Sequence, residues 1–165
     1  MLWKKEPPRS FVHPWKKVAD HSVGGLFQVG YAENSDLLLV LSHNGRGIFD
    51  CLTGERIARD STNSVYDHFS TSKLIAAGFA VLNGQEVRMA GLYGGGLPIS
   101  TEDNWFLELR KKNDEVFLSK AVSTKDKDLA LVGDGKLCEL RAFGFSETGK
   151  SFVIATSCSL IIFAR

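Results

Sequence analysis

The sequence predicts an all-β protein built mostly of antiparallel sheets of short strands. Phe27, Val29 and Tyr31 alternate with Gln and Gly, which is the period-two pattern of a half-buried strand. The aliphatic run at 37–41 is short enough for a strand that is buried on both faces, and turn-forming residues bound it on each side. A second copy of this pattern near the end of the chain is the third observation.

The first 22 residues differ from the rest. They contain three of the four prolines, which disfavour both a helix and a central strand, and Trp3, Phe11 and Trp15 lie among basic residues. We therefore predict an irregular, basic and aromatic N-terminal arm over residues 1–22. This arm is expected to be dispensable for the fold but to shield a sheet edge of a single β domain that spans residues 23–165.

The first part of that domain reads as four short strands. Asn, Asp, Ser, Thr and Gly residues at 33–36, 43–45 and 52–55 carry the turn chemistry that divides residues 26–60.

The end of the chain repeats this unit. When Gly144 is aligned with Gly30, an offset of 114 residues, the match in residue type continues as far as Phe49 without a gap. Tyr31 then falls on Phe145, and Phe49 falls on Phe163. We predict one structural unit used twice, near 26–60 and near 137–165.

The middle of the chain carries further strand signals. Trp105, Leu107 and Leu109 alternate with other residues and favour a strand over the alternative, a helix across 100–112. A turn at 111–114 then leads into a second strand.

Two dipeptides predict hairpins, because Asn-Gly and Asp-Gly are strong turn signals. Asn83-Gly84 is expected to join 80–82 to 86–93, and Asp134-Gly135 to join 129–132 to 137–143.

Two segments resemble the blades of WD-repeat-type β-propellers. They are Leu-Leu-Leu-Val-Leu-Ser-His-Asn-Gly-Arg-Gly-Ile-Phe-Asp-Cys-Leu-Thr-Gly-Glu (37–55) and Gly-Phe-Ser-Glu-Thr-Gly-Lys-Ser-Phe-Val-Ile-Ala-Thr-Ser (144–157), the latter followed by Leu-Ile-Ile-Phe. Such blades take roughly 40 residues each, and a propeller has at least about four. The chain is therefore too short for a complete propeller beside its arm. A compact sheet stack or sandwich, a distorted barrel, and an incomplete propeller completed by dimerisation all remain open.

The composition disfavours several function classes. Twenty basic and 19 acidic residues give a net charge of +1, so no overall field attracts nucleic acid or anionic lipid. No apolar run is long enough to span a membrane as a helix. We predict no membrane association, and binding to nucleic acid is disfavoured, with the basic aromatic arm as its one candidate site.

The cysteines predict a compartment. Cys51, Cys138 and Cys158 are odd in number and widely spaced, which favours free thiols in a reducing environment. The N-terminus lacks the apolar segment of a signal peptide. Together these observations predict a cytoplasmic protein.

The glycine-rich segment 91–98 is the strongest candidate ligand site. Consecutive glycines lose conformational entropy without adding a side chain, so they indicate positive φ or close backbone approach, either in a wide turn or around an anion. The first of these interpretations is the simpler one. If a ligand binds, the predicted site residues are Arg88, Tyr93, Gly94, Gly95, Gly96, Ser100 and Thr101.

No catalytic motif is present, and we predict neither catalytic residues nor a metal or cofactor. His43, Asp50 and Cys51 could form a nucleophile and base in principle. If 37–42 and 47–51 pair as strands, however, His43 and Cys51 lie at opposite ends. The charge of Asp50 would also disfavour a thiolate.

Two function classes remain. The first is a non-catalytic binding protein of the immunity, inhibitor or adaptor type that recognises another protein, with a homodimer left open. The blade resemblance implies such a role, since propeller blades often serve as interaction platforms. The alternative is a domain that binds a small ligand or nucleotide through the loop at 91–98, with hydrolysis as an open option.

Overall fold

The computed structural model describes residues 13–61, 64–120 and 130–165. Within these ranges the protein is all-β, as predicted, and its helical content is limited to two short 3-10 turns, Val65–His68 and Ala80–Leu82. No helix in the described residues is long and apolar enough to cross a membrane. In chain order the strands are β1 (Lys16–Ser22), β2 (Leu26–Tyr31), β3 (Leu37–Ser42), β4 (Gly45–Asp50), β5 (Glu55–Asp60), β6 (Phe69–Ser70), β7 (Ile75–Ala77), β8 (Glu86–Arg88), β9 (Ala90–Gly91), β10 (Trp105–Arg110), β11 (Glu115–Lys120), β12 (Ala130–Asp134), β13 (Leu140–Phe145), β14 (Ser151–Thr156) and β15 (Ser159–Ala164).

These strands form four antiparallel sheets, which we number by their packing order. Sheet 1 is β6-β7-β8, and sheet 2 is β5-β4-β3-β2-β9. Sheet 3 is β1-β15-β14-β13, and sheet 4 is β10-β11-β12. The strand predicted from Trp105, Leu107 and Leu109, in preference to a helix across 100–112, is confirmed as β10.

The 114-residue repeat is present in the structure. When 114 is added to the residue numbers that bound β2, β3 and β4, the results are the bounds of β13, β14 and β15. The pairing irregularity also recurs, since the register of β2 with β3 shifts between Leu26 and Gln28, and that of β13 with β14 shifts between Leu140 and Ala142. The two units therefore share their strands, their turns and a β-bulge.

The fourth strand of the second unit comes from the start of the chain. Strand β1 lies antiparallel to β15 and covers its edge, as β5 covers β4. The prediction of an irregular arm is wrong for Lys16–Ser22, and residues 1–12 lie outside the described part. Prolines at 7, 8 and 14 all precede β1, so they do not prevent its pairing. Trp15 is only 2% exposed and packs on Phe152, so this segment is part of the core.

Three apolar clusters hold the sheets together as layers. One, which contains Phe27 and Phe69, lies between sheets 1 and 2. A second, which contains Val40 and Val153, lies between sheets 2 and 3. The third, which contains Trp15, joins sheets 3 and 4. The described residues thus form a stack in the order 1-2-3-4 without a closed barrel.

Both hairpins predicted from Gly dipeptides are wrong. Residues Ala80–Leu82 form a 3-10 turn, and β8 pairs with β7. Strand β12 pairs with β11 in sheet 4, whereas β13 pairs with β14 in sheet 3. The Asp134-Gly135 turn therefore carries the chain from one sheet to the next, because the faces buried by each segment belong to different layers.

A disulfide joins Cys138 to Cys158, whose Cα atoms are 6.0 Å apart. The strand register brings the two cysteines together. Leu140 is paired with Thr156 in the β13–β14 hairpin, and Cys138 and Cys158 each lie two residues farther from the hairpin turn. The expectation of three free thiols is therefore wrong, because only Cys51 is free. Free thiols no longer support the predicted cytoplasmic location, which stays a prediction.

Candidate binding surface beside the glycine loop

The glycine loop is a tight, internally bonded turn. Gly91 and Gly94 exchange two backbone hydrogen bonds of 3.0 Å. Gly94 and Gly95 have φ of +110° and +85°, which side chains rarely adopt, and a Cβ on Gly95 would collide with the Met89 carbonyl. Gly94 and Gly95 are thus required by the turn itself, whereas Gly96 has space for a side chain.

The amide groups of this loop already have acceptors. The Leu92 N–H donates to the Phe27 carbonyl, and the Tyr93 N–H donates to Gln28 Oε1, each at 2.8 Å. With Gly91 and Gly94, four consecutive amides are occupied, so this part of the loop offers no donor to an anion.

The other predicted site residues do not converge on the loop. Arg88 belongs to β8 in sheet 1. Ser100 forms an isolated bridge with Phe106, and Thr101 Oγ1 accepts a hydrogen bond of 3.0 Å from the Trp105 amide, so both lead into sheet 4. Sheets 1 and 4 lie at opposite ends of the stack, which separates Arg88 from Thr101.

The loop instead presents Tyr93 to a group of rings, which we call the aromatic cluster: Phe27, His43, Tyr66, Phe69 and Tyr93. Phe27 lies at its base and stacks on Tyr66, with ring centroids 5.2 Å apart and planes inclined by 7°. The His43 ring also stacks on Phe27, with ring centroids 5.2 Å apart. Tyr93 stands edge-on to Tyr66 at 6.4 Å and contacts Phe69 at 5.8 Å.

The outer rings of the cluster are accessible. Tyr66 is 44% exposed and Tyr93 is 43% exposed, and the adjacent Leu92 is 51% exposed. Phe27 beneath them is fully buried. The cluster is therefore a partly exposed apolar surface on a fixed base, with two phenol groups at its rim.

The two phenol groups bond to each other. Their hydroxyl oxygens are 3.3 Å apart. This hydrogen bond, assisted by partial burial and by the charge of the neighbouring phenolate, raises the pKa of Tyr66 to about 12. The Tyr66 phenol is thus a neutral donor and acceptor at physiological pH.

Cys51 and His43 are far from forming a catalytic pair. Cys51 is fully buried at the end of β4 opposite to the His43 turn. Burial, with a contribution from the nearby carboxylates of Asp36 and Asp50, raises the pKa of its thiol well above the usual range. A thiol in this state is not a nucleophile.

A buried polar network lies beside this thiol, between sheets 2 and 3. Asp36 Oδ1 accepts a hydrogen bond of 2.6 Å from Ser151, and Oδ2 accepts one of 2.8 Å from Thr148. The Ser151 hydroxyl also contacts the Tyr31 hydroxyl at 3.0 Å. The network joins the two repeat units through hydrogen bonds between their side chains, so its role is structural. Among the described residues no group of three His, Cys, Asp or Glu side chains could hold a metal ion.

Sequence reasoning found Tyr93 but missed Tyr66 and the role of His43. Tyr66 follows a turn-rich segment, and only the packing of sheet 1 on sheet 2 brings it over Phe27. Tyr93 lies in the glycine-rich segment that the sequence singled out, whereas no sequence pattern pointed to Tyr66.

Comparison of the chain with protein-family models and with curated proteins finds no match.

Proposed function

We propose that the protein is a non-catalytic binding protein that recognises another protein through the aromatic cluster. The observation that carries this proposal is the pair of half-exposed tyrosines fixed over a buried Phe27. Tyrosine combines a large apolar area with a polar tip, and it is enriched among the residues that dominate binding energy at protein interfaces.

Preorganisation supports the same role. Ring stacking and the contact between the Tyr66 and Tyr93 hydroxyl groups hold both side chains in one arrangement. A partner therefore immobilises few additional rotamers on this side, which lowers the entropic cost of association. The partner surface that fits is an apolar side chain flanked by groups that hydrogen-bond to phenol hydroxyls.

The chemistry of the described residues gives no competing support to an enzyme. The single free thiol is buried with a raised pKa, and the loop amides at 91–94 bond internally. An immunity, inhibitor or adaptor role is the form of this proposal, because each requires a rigid recognition surface without a reaction centre.

The experiment is affinity capture from native host extract, with identification by mass spectrometry and purification of the candidate partner. The wild-type protein is compared with the double variant Tyr66→Ala/Tyr93→Ala. Val81→Ala is the control, since Val81 is 60% exposed and belongs to the 3-10 turn after β7, outside the cluster. We expect direct binding of the purified partner to weaken at least about tenfold in the double variant only, which corresponds to roughly 1.4 kcal/mol.

Equal binding by the wild-type and the double variant would place the interface elsewhere and overturn the proposal. Light scattering during size-exclusion chromatography tests the alternative that the cluster mediates a homodimer. A dimer that dissociates only in the double variant would make a second copy of this chain the partner.

A further inference from the structure

A polar cleft with a volume of about 170 Å³ lies between sheets 2 and 3, on the other side of the His43-Asn44 turn from the aromatic cluster. Ser22 and Gly24, at the end of β1, form one wall. Gly47 in β4 and the arginines Arg56 and Arg59 in β5 form the other. No acidic side chain lines it.

A β-bulge directs both arginines into this cleft. Residues three apart on a regular strand point to opposite faces. In β5 the register shifts, so that Arg56 faces Phe49 while Arg59 faces Gly47. The extra residue between them puts Arg56 and Arg59 on the same face of sheet 2, the one that faces sheet 3.

The charges of these two arginines are not neutralised within the described residues. The guanidinium of Arg46, which also borders the cleft, bonds to Asp60 at 2.8 Å and to the Ala77 carbonyl at 3.1 Å. Arg56 and Arg59 are exposed and make no ion pair or side-chain hydrogen bond to any residue in 13–61, 64–120 or 130–165. Two like charges side by side on one strand repel each other, and an anion bound between them would relieve this repulsion.

The second repeat unit provides an internal comparison. Strand β1 has the same bulge, so Lys17 and Asp20 occupy the places of Arg56 and Arg59. There the two charges are opposite and form an ion pair of 3.5 Å. Ile161 stands where the first unit has Gly47, so the first unit lacks a side chain at this position of the cleft wall.

We propose that this cleft binds a phosphomonoester group, through Arg56 and Arg59. Paired guanidinium groups match the geometry and charge of a phosphate dianion. The cleft is smaller than the roughly 300–1,000 Å³ of drug-sized sites, so it fits one phosphate with a short carbon stem. The site is independent of the aromatic cluster, and the proposed function can fail without affecting it.

The test is titration of the full chain with inorganic phosphate and with O-phosphoserine at constant ionic strength, followed by amide chemical shifts. We expect saturable shifts at the cleft residues. We expect affinity to fall at least about tenfold in Arg56→Gln and in Arg59→Gln. Lys112→Gln, which removes one exposed charge from the β10–β11 turn, should bind as the wild type does.

Arg59→Asp gives a second, sharper variant, because it recreates the opposite-charge pair of β1. It should lose phosphate binding while its melting temperature stays at or above that of the wild type. A phosphoserine-containing pentapeptide separates the two sources of the group. Tighter binding of the peptide than of O-phosphoserine indicates a phosphorylated protein segment, and equal binding indicates a small phosphomonoester. Non-saturable shifts, shifts equalled by acetate, or unchanged affinity in both glutamine variants would overturn the proposal.

Discussion

At the scale of single residues, position in the tertiary structure decides what each polar side chain does. Tyr31 and Tyr66 are both tyrosines close to a second hydroxyl group. Tyr31 is buried against Ser151, where burial raises the pKa of its phenol well above the usual range. Tyr66 is at the surface and bonds mainly to Tyr93. The first serves the core, and the second is available to a partner.

The phenol pair makes a prediction about pH. In Tyr93→Phe the pKa of Tyr66 should fall from about 12 toward its ordinary value, because the main cause of the shift, the hydrogen bond that the Tyr66 hydroxyl donates to Tyr93, is removed. The folded-state pKa is raised, so the stabilisation is present below the unfolded value of about 10 and is lost as the pH rises through about 12. Phenolate absorbance during an alkaline titration measures the midpoint.

Ser72→Ala is the matched control for that titration, since it removes another exposed hydroxyl contact, that with Ser70. It should leave the Tyr66 midpoint unchanged. A midpoint in Tyr93→Phe equal to that of the wild type would mean that the hydroxyl contact does not determine the ionisation of Tyr66.

At the scale of elements, β1 is the strand on which the second unit depends. It pairs with β15 from Lys16 to Ser22 and carries Trp15, which packs on rings of sheets 3 and 4. Loss of a buried Trp side chain alone costs about 3–5 kcal/mol, and a domain has only about 5–15 kcal/mol in total. We therefore expect residues 13–22 to be needed for folding, in contrast to the predicted dispensability of the whole segment 1–22.

A rearranged chain tests this account. Lys16 lies opposite Ala164, so residues 13–22 can follow Arg165 through a short Gly-Ser linker, as β5 follows β4 in the first unit. We expect the chain that begins at Val23 and ends with this transplanted strand to fold with a melting temperature within a few degrees of the wild type. The same chain without the transplanted strand should lose cooperative unfolding, as followed by circular dichroism. Cooperative unfolding of that truncated chain would show that β1 is not needed.

At the scale of the whole molecule, stability should be greatest in the middle of the stack. Sheets 2 and 3 bury apolar residues on both faces, whereas sheet 1 has strands of only two or three residues and one apolar cluster. Segments with few buried contacts unfold locally most easily, and their amide hydrogens therefore exchange fastest.

Hydrogen exchange read by mass spectrometry should follow this order. Peptides that cover β3 and β14 should exchange slowest and at similar rates. These strands are equivalent in the repeat, and each has a neighbouring strand on both sides in its sheet. Peptides that cover 69–88 should exchange faster. The strands β10 and β11 serve as a comparison, since they belong to sheet 4, the other outer layer of the stack, and have six residues each. Slower exchange in sheet 1 than in sheet 2 would contradict the layered core.

Much of the fold was readable from the sequence, because side-chain period and turn chemistry are local. Alternating and aliphatic sequence patterns predicted the strands of both repeat units, and the offset from Gly30 to Gly144 predicted their equivalence. The half-buried strand predicted from Phe27, Val29 and Tyr31 is wrong in its burial, because β2 is packed between two other sheets and is buried on both faces. The candidate site was only partly readable. Tyr93 was found through its glycines, but Arg56 and Arg59 were not, because their counterparts Lys17 and Asp20 are recognisable only once β1 is seen to pair with β15.

The sequence by itself thus determined the all-β class, the repeat and the need for glycine beside Tyr93. The tertiary structure alone decided which strand ends each sheet, which loops share a surface and which cysteines pair. The physical reason is that hydrogen bonding between strands and burial between layers depend on partners distant in the chain. The closure of the second unit by β1, and the direction given to Arg59 by a bulge, are both consequences of such pairing.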